Sequence, residues 1–437
     1  MPVTSSPSVK LILNTALLLT ALGMFVRASG AVKEILFARA FGVSADTDAF
    51  VLALTYATFL PTVLGGAVAT ALVVEQARAT ASSKTDLGVL TMWVVAASCL
   101  CALLVYALAN VAMSTLFSLT GDVLDKATSY ARAMSPLGFL MVLSLAMSGV
   151  LNAAKQFYFV GISALATPVF MMIGILAFAG AWGVEAAVWG LVAGAFFEVG
   201  VLALRISSQR TLFFPRRDGA RSREREWLFW RSVSVLSFAA AVAAVSPIID
   251  QAFLARLDTG AVTNLNYASK VNSLLIGLFG TAFGAAIYPY LSDLAAQRDL
   301  RGLKRLTWRL AAVVVPISGI TSLIVYVFSR EIVEVLFARG NFTATAVAEV
   351  SAIQQVFAIQ LVFYVGGLLA MRVLNAANAA RFVLLISCIT VVANALLDWL
   401  LYESLGARGI ALAAVLTSVI SLVVSVMLIR PALVHRT

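Results

Sequence analysis

Hydrophobic residues occur along this chain in long blocks that short polar segments separate. Apolar runs of about 20 residues recur from one end to the other, and most of them have no polar face. A soluble helical protein would place polar residues along the outer face of each surface helix. Because these runs lack such a face, they predict membrane-spanning helices rather than the buried helices of a soluble core.

Twelve such spans are predicted, an even number that puts both termini on the same side of the membrane. They lie at residues 11–32, 47–74, 87–109, 131–151, 157–180, 184–204, 232–255, 265–290, 308–328, 349–373, 381–401 and 408–429. The first apolar run is short, so its helix must continue through Arg27 to reach the length of a span.

Composition supports a membrane protein and decides its orientation. Of 437 residues, 61% are hydrophobic and only 12% are charged, whereas a soluble domain has about 25% charged residues. The formal charge of +10 follows the positive-inside rule, so no nucleic-acid partner is predicted. Most Lys and Arg residues fall in loops on the side of the termini, chiefly in the linker after Arg205. Both termini are therefore predicted to be cytoplasmic.

The cysteines and the histidine argue against an enzyme. All three cysteines lie in apolar runs, which suggests neither disulfides nor a zinc site. The only histidine, His435, is the third residue from the end of the sequence, so a Ser-His or Cys-His pair has no plausible base. We therefore expect neither a catalytic residue nor an organic cofactor.

Two halves of the chain repeat each other. VLNAAKQFYFV at 150–160 matches VLNAANAARFV at 373–383, and LVYALANVAMSTLF at 104–117 matches IVYVFSREIVEVLF at 324–337. WGVEAAV, which begins at Trp182, lines up with RGIALAA, which begins at Arg408. These offsets rise in chain order, as a duplication with small insertions requires.

One further word, LFAR, occurs at 36–39 and again at 336–339. Its offset breaks the series, so it is interpreted as a coincidence.

The duplication predicts the architecture. We expect an all-α polytopic membrane protein with about twelve transmembrane helices in two pseudo-symmetric six-helix lobes around a central cavity. The lobes would comprise residues 1–205 and 232–437, with a basic cytoplasmic linker at 206–231 between them. Such a plan is typical of transporters in which one bundle rocks against the other around a central site.

Charged residues within spans are costly, and they are candidate functional residues. Arg27 lies about five residues, roughly 7 Å, inside the outer end of the first span, and Glu34 follows it on the same helix face. Lys33, Asp48 and Lys270 complete a group that is mostly basic and suits an anionic, phosphate-bearing substrate. The alternative is that Lys33 reaches the interface while Arg27 pairs with Glu34 or Asp48.

A second group of candidates is acidic. Asp250 lies in the seventh span, and Asn394 and Asp398 lie four residues apart on one face of the eleventh. Two carboxylates and an amide oxygen at similar depth could coordinate Na⁺ or take up H⁺. The alternative is that Asp398 is solvated at the membrane surface beside Trp399.

Three segments resemble the MurJ (MviN) family of lipid II flippases. They are FVRASGAVKEILFARAFGVSADTDAFVLA near the start, NYASKVNSLLIGLFGTAFGAAIYPYLSD in the eighth span, and the later VEVLFARGNFTA. The family pattern contains an arginine, a glycine, a basic–acidic pair, a Thr-Asp-Ala-Phe word and a Leu-Phe-x-x-Gly-x-Phe-Thr signature. These segments occur in family order over most of the chain.

The resemblance implies a fold of the multidrug/oligosaccharidyl-lipid/polysaccharide exporter class. It implies a monomer in the bacterial cytoplasmic (inner) membrane that moves an undecaprenyl-pyrophosphate-linked saccharide across the surrounding lipids. Four candidates fall on charged positions of the family's first two helices: Arg27, Lys33, Glu34 and Asp48. Lys270 falls where the family commonly has arginine. The group of Asp250, Asn394 and Asp398 resembles the sodium site proposed in some members.

Two departures keep other functions open. The segment YATFLPTVLGGAVAT has Pro61, Thr62 and Gly65 where the family usually carries arginine and glutamate, and twelve spans replace the usual fourteen. A flippase for exopolysaccharide or O-antigen lipid-linked units is the main alternative. Further alternatives are a multidrug or cation antiporter, a membrane enzyme such as a saccharide polymerase, and a scaffold that transports nothing. The basic candidates argue against a cation exporter, and the short outer loops argue against the enzyme.

Overall fold

The computed structural model describes residues 9–81, 88–207, 222–286, 290–291, 293–294, 297, 299–377 and 379–434. This part of the chain is helical and contains no strand. In the first half the helices are α1 (Val9–Phe41), α2 (Ala45–Ala81), α3 (Gly88–Val111), α4 (Gly121–Ala133), α5 (Pro136–Ala153), α6 (Phe157–Ser163), α7 (Ala166–Trp182) and α8 (Glu185–Ser207). A π-helical turn, Ala112–Leu116, follows α3.

The second half is also built from helices. They are α9 (Ser222–Ala244), α10 (Ser246–Leu254), α11 (Ala261–Ala286), α12 (Leu300–Val327), α13 (Ser329–Phe337), α14 (Ala344–Ala376), α15 (Ala380–Leu405) and α16 (Ala407–Val434).

The described residues contain 10 segments long and apolar enough to cross a membrane, and each overlaps one predicted span. The other two predicted spans, 11–32 and 265–290, fall on α1 and α11, helices of 33 and 26 residues. The prediction of an all-α, multi-pass membrane protein is confirmed.

Helix α1 is longer than its predicted span. It continues without a break through Arg27 and Gly30 and ends only at Phe41, nine residues beyond the end of the predicted span. Its 33 residues extend about 50 Å, whereas the hydrocarbon core of a bilayer is about 30 Å thick. A helix of this length projects beyond the hydrocarbon core, where charged side chains cost less free energy.

Two spans are each built from two helices. The span Phe157–Trp182 is divided between α6 and α7, and the span Trp227–Leu254 is divided between α9 and α10. Pro168 and Pro247 both lie in the first turn of the helix after the break. Proline lacks an amide hydrogen and is tolerated there, because the first-turn amides have no intrahelical acceptor.

The repeated word VLNAA forms the same turn in both halves. The last residue of the word donates its backbone amide to the carbonyl of the first residue, and the residue two places after the word donates to the carbonyl of the second. The distances are 3.1 Å (Ala154 N to Val150 O) and 2.8 Å (Gln156 N to Leu151 O) in the first copy, and 3.0 Å for both bonds (Ala377 N to Val373 O, Ala379 N to Leu374 O) in the second. This shared geometry supports the duplication.

A second repeated turn corrects one sequence match. Gly183 and Gly406 both adopt a positive φ, 55° and 58°, and each ends a helix by donating its amide to the carbonyl four residues earlier. The match of WGVEAAV with RGIALAA had placed Gly183 opposite Gly409. The structure pairs it with Gly406, because only that position has the left-handed conformation which glycine adopts without strain.

Contacts divide the chain into two compact units. Unit 1 contains Met1–Glu34, Leu60–Leu103 and Ser135–Leu236, and unit 2 contains Ile35–Phe59, Leu104–Met134 and Ser237–Thr437. The division into lobes 1–205 and 232–437 with a linker at 206–231 is based on the duplication and stays a prediction. Residues 208–221 of that linker lie outside the described part of the chain.

Each unit has one helix that packs against several others. In unit 1, α8 packs against α5, α6 and α7. In unit 2, α14 contacts α11, α12, α13, α15 and α16. Gln360 of α14 accepts a hydrogen bond from Asn272 at 2.8 Å and donates one to Ser418 at 3.1 Å. The central helix of unit 2 is therefore held by polar contacts as well as by apolar packing.

Candidate substrate and ion sites

The first group of candidates lies on α1 in unit 1. Lys33 and Glu34 form an ion pair with Nζ and Oε1 3.0 Å apart, and their side chains are only 16% and 14% exposed. The side chain of Arg27 is exposed on the same helix. A guanidinium that is open to its surroundings can form paired hydrogen bonds with a phosphate. The substrate-binding roles of these three residues stay predictions.

Asp48, in the first turn of α2, belongs to unit 2 and is 7% exposed. Its Oδ2 accepts a hydrogen bond from the amide of Gly260 at 2.5 Å. Its Oδ1 accepts two hydrogen bonds from Thr263, one from the amide at 2.8 Å and one from the hydroxyl at 2.6 Å. These donors lie at the beginning of α11, so Asp48 caps the amino terminus of a helix far away in the sequence.

The neighbouring acid, Asp46, has a different environment. Lys126 of α4 donates a hydrogen bond to Asp46 Oδ1 at 2.6 Å, and both side chains are exposed. This hydrogen bond, together with the attraction between the two charges, raises the pKa of Lys126. Exposed ion pairs contribute little to stability because water and salt screen them.

The two LFAR words meet in space. The last carbonyls of α1, those of Arg39 and Ala40, accept hydrogen bonds from the backbone amide and the side-chain amide of Asn341 at 3.0 and 2.6 Å. Gly42 and Gly340, which follow the two words, both have a φ of 63°. A Cβ on either glycine would overlap a backbone carbonyl of the other segment. The shared word is no part of the duplication, but both copies end a helix at this contact.

Aromatic packing surrounds this contact. Tyr267 of α11 is fully buried and donates its hydroxyl to the carbonyl of Gly42 at 3.4 Å. Its ring lies 5.1 Å from that of Phe337 and 5.5 Å from that of Phe342. The Leu-Phe-x-x-Gly-x-Phe-Thr signature therefore supplies both the cap of α1 and the aromatic residues around it.

The acidic candidates come together in unit 2. Asn394 donates one side-chain hydrogen bond to Asp250 at 2.6 Å and another to Asp398 at 2.7 Å. Asn394 and Asp398 are 4% and 0% exposed. No donor among the described residues contacts the second carboxylate oxygen of Asp398. Two carboxylates that share one amide, one of them buried and the other partly buried, are a suitable place for a cation or a proton, and that role stays a prediction.

Lys270 lies partly buried on α11 in unit 2. The sequence does not reveal that α11 is also the helix which Asp48 caps. The predicted contact of Lys270 with substrate stays a prediction.

Other polar residues were missed by the sequence analysis. Glu198 lies within the span Glu185–Ser207, and Glu75 is 9% exposed at the end of the span Ala45–Glu75. Gln354 is fully buried on α14. The rule that selected Arg27, which treats any ionisable residue within a span as a candidate, would also have selected Glu198.

The fold is shared with known transporters. A solved structure of a lipid II flippase MurJ in an inward closed conformation superposes with a TM-score of 0.79 at 19% identity, covering 95% of this chain and 87% of that one. An inward-facing multidrug MATE transporter of the MOP superfamily gives 0.77 at 13% identity, covering 96% and 98%. At these identities the likeness defines the fold alone. The class that this fold defines is that of multi-span helical membrane proteins, and a flippase and a drug exporter both have this fold.

Sequence comparison separates these groups. A model of the family described as lipid II flippase MurJ matches residues 37–436. The chain therefore belongs to the lipid II flippase MurJ family, a family of transporters and not of enzymes.

Relatives at moderate identity agree with this assignment. A probable lipid II flippase MurJ of Thermotoga maritima is 24% identical over 422 residues, covering 93% of this chain and 83% of that protein. The lipid II flippase MurJ of Burkholderia cenocepacia is 28% identical over 371 residues, covering 79% and 70%.

Proposed function

We propose that this protein moves lipid II, an undecaprenyl-pyrophosphate-linked saccharide, from the inner to the outer leaflet of the bacterial cytoplasmic membrane for cell-wall synthesis. The family match over residues 37–436 carries the proposal, because it extends over nearly all of the described spans. The fold likeness does not separate a flippase from a drug exporter, since a MurJ and a MATE transporter superpose about equally well.

The proposed contact with the pyrophosphate is made by Arg27 and Lys33 of α1. Arg27 is exposed and can bind a phosphate group through two parallel hydrogen bonds. Lys33 is paired with Glu34 at 3.0 Å, so a bound pyrophosphate would compete with Glu34 for the same ammonium group. Lys270 is the proposed third basic contact.

The proposed mechanism is alternating access, in which one bundle rocks against the other around the bound substrate. Asp48 joins α2, from the first half of the sequence, to the start of α11, from the second half. Both segments belong to unit 2, so these hydrogen bonds hold the start of α2 within that unit. A ligand favours one state only through its differential affinity for the two states.

The proposed coupling ion, Na⁺ or H⁺, binds at Asp250, Asn394 and Asp398. Two carboxylates at one amide repel each other unless a cation or a proton neutralises part of their charge. Occupancy of this group would bias the return of the empty transporter to its inward state.

A flippase for exopolysaccharide or O-antigen lipid-linked units is the second candidate. The departure of the α2 segment YATFLPTVLGGAVAT from the family pattern favours it, because that segment lacks the usual arginine and glutamate. Both candidates share a pyrophosphate-linked lipid, so the α1 contacts serve either substrate.

The deciding experiment depletes the native lipid II flippase of a host bacterium, supplies this protein, and measures lipid II in the outer leaflet. We expect rescue by the wild type and loss of rescue with Arg27→Ala, because alanine cannot bind the pyrophosphate. Arg330→Ala is the matched control, since Arg330 is exposed on α13 and paired only with Glu334 among the described residues.

Two results would contradict these proposals. The first is that the wild-type protein is expressed but does not rescue, while a native deletion strain accumulates another lipid-linked saccharide. This result would favour the second candidate, a flippase for exopolysaccharide or O-antigen units. Normal transport by Arg27→Ala would remove Arg27 from the binding site.

A further inference from the structure

Unit 1 contains a partly buried carboxyl group with no role in the proposed function. Glu198 comes 13 residues after the first residue of α8, Glu185, and nine before the last, Ser207. At 1.5 Å per residue these separations are roughly 20 and 14 Å. Glu198 is thus too far from either end of this membrane-spanning helix for its side chain to reach the membrane surface along α8.

Two hydroxyl groups from neighbouring helices bind this carboxyl. Ser144 of α5 donates a hydrogen bond to Glu198 Oε1 at 2.6 Å, and Thr167 of α7 donates one to Oε2 at 3.1 Å. Both contacts are partly buried, and the Ser144 side chain is 8% exposed. Each carboxyl oxygen therefore has one neutral donor, and the group lies where three helices meet.

No basic residue balances Glu198 among the residues that the structure describes. The helices packed against α8, namely α5, α6 and α7, contain no charged residue. The other charges of α8 are Glu185 and Arg205. Arg205 lies two helical turns away, and it donates to Gln156 at 2.8 Å while its guanidinium stacks over Phe159. Lys155, between α5 and α6, is exposed.

The local sequence positions the carboxyl specifically. Gly190, Gly194 and Glu198 are spaced four residues apart and share one face of α8. A Cβ on Gly190 would lie 2.8 Å from the Cα of Met171, and one on Gly194 would lie 2.6 Å from the Cα of Thr167. The two glycines therefore let the backbones of α7 and α8 touch, which brings Thr167 within reach of Glu198.

A lone carboxylate in this environment is costly. Two neutral hydroxyl donors replace only part of the water that an ionised carboxylate would bind, and no opposite charge among the described residues lies close. Uptake of one proton from water converts the group to a neutral carboxylic acid. Its two hydroxyl neighbours can still pair with it, because a serine or threonine hydroxyl both donates and accepts.

We propose that Glu198, with Ser144 and Thr167, is a proton-binding site in the membrane interior of unit 1, separate from the Asp250, Asn394 and Asp398 group of unit 2. The proton comes from water and returns to it, so the site alternates between a neutral acid and an anion. Proton binding at this site does not depend on which lipid the protein carries. If the proposed transport is correct, the site adds a second ionic input to the cycle.

The test uses dicyclohexylcarbodiimide, an apolar reagent that modifies protonated carboxyls in membranes. The purified full-length protein is treated in lipid vesicles over a range of pH, and the modified residues are identified by mass spectrometry. We expect modification of Glu198 that falls about tenfold per pH unit once the group is mostly ionised. Glu185 is the internal control, because it lies exposed at the end of the same helix.

A variant separates proton binding from a purely structural role. Thr167→Val removes one hydroxyl donor and should shift the pH midpoint of Glu198 modification, whereas a structural role alone predicts no shift. Glu198→Gln should remove the modified peptide. The experiment on the wild type needs no variant, so misfolding of either one leaves the main test intact.

Three results would overturn the proposal. They are absence of modification at every pH, modification independent of pH, and protection of Glu198 by Na⁺ when it replaces choline at constant pH, which would make the ligand a metal ion. Failure of the rescue experiment would leave the modification result unchanged, so the two proposals fail independently.

Discussion

Asp48 and Asp46 lie two residues apart in the first turn of α2, yet their environments differ. Asp48 is buried and receives three hydrogen bonds from the start of α11, whereas Asp46 is exposed and pairs with Lys126. In the sequence, both are acidic residues beside the start of the predicted span 47–74. The sequence does not distinguish them, because the donors to Asp48 lie 212 and 215 residues away.

The first prediction concerns Asp48→Ala. This change leaves the amides of Gly260 and Thr263 without acceptors in a buried place, which costs about 1–3 kcal/mol for each unsatisfied group. We expect a clear fall in thermal stability and in transport, measured on the purified protein and by rescue of the depleted host.

Asp46→Ala is the matched control, since it removes an exposed ion pair worth about 0–1 kcal/mol. Equal stability of the two variants would contradict the role of Asp48 as a helix cap.

The acidic candidates of unit 2 also show that the sequence does not reveal contacts between residues far apart in the chain. Asp250, Asn394 and Asp398 were selected because ionisable residues are rare in spans, and the structure brings all three within hydrogen-bonding distance. The four-residue spacing of Asn394 and Asp398 predicts their shared face. The approach of Asp250, which is 144 residues from Asn394, depends on the packing of α10 against α15.

At the scale of helices, contacts at helix ends join segments that are distant in the sequence. The last turn of α1 leaves carbonyls without intrahelical donors, and Asn341, 301 residues from Ala40, satisfies two of them. The glycines beside this contact have a positive φ, a conformation that costs an ordinary residue roughly 1–2 kcal/mol. Their lack of a side chain also allows the two segments to touch.

The second prediction concerns Gly42→Ala and Gly340→Ala. Each change adds the cost of a positive φ and a Cβ that overlaps a backbone carbonyl, so the loop must move away from α1. We expect both variants to unfold at a lower temperature and to lose the cap that Asn341 provides, measured by hydrogen exchange of the Asn341 amide.

Gly121→Ala is the control for conformation alone. Gly121 also has a positive φ, 59°, but nothing lies within 4 Å of the position of its Cβ. If Gly121→Ala lost as much stability as Gly42→Ala, the cause would be backbone strain. That result would contradict our explanation by the close contact between the two segments.

Helix breaks and lengths were only partly predictable. Pro168 and Pro247 indicate where two spans are interrupted, because proline cannot donate to the preceding turn. The extension of α1 to Phe41 was missed, since a window chosen for membrane length stops at the first cluster of charges. No local sequence pattern predicts that Asn341 caps α1, because Asn341 is 301 residues from Ala40.

At the scale of the whole molecule, the orientation in the membrane stays a prediction. Both termini and the arginine-rich linker are expected in the cytoplasm, and the loop before α4 is expected outside. Single cysteines at Asp122 and at Thr437, in a background where Cys99, Cys101 and Cys388 are replaced by serine, test this orientation.

A membrane-impermeant thiol reagent added to whole cells should label the cysteine at residue 122 and leave the one at residue 437 unlabelled. Disruption of the membrane should then expose residue 437. Labelling of residue 437 in intact cells would reverse the topology, and with it the proposed direction of transport.

The sequence by itself determined that the protein is a multi-pass helical membrane protein, that it contains a duplication, and which family it resembles. These properties depend on local composition, on periodicity and on order along the chain, which need no knowledge of contacts. The two copies of VLNAA form the same turn because the hydrogen bonds of that turn lie within seven residues.

Only the tertiary structure decided how the charged residues are used. It assigned Asp48 to a helix cap, paired Lys33 with Glu34, joined Asp250 to Asn394 and Asp398, and gave Glu198 the hydroxyl groups of two neighbouring helices as partners. Except for the Lys33–Glu34 pair and the contact of Asn394 with Asp398, these partners come from other helices. The free energy of a charged side chain within a membrane depends on such partners, because the lipid interior contains no water that could form hydrogen bonds with the charge in their place.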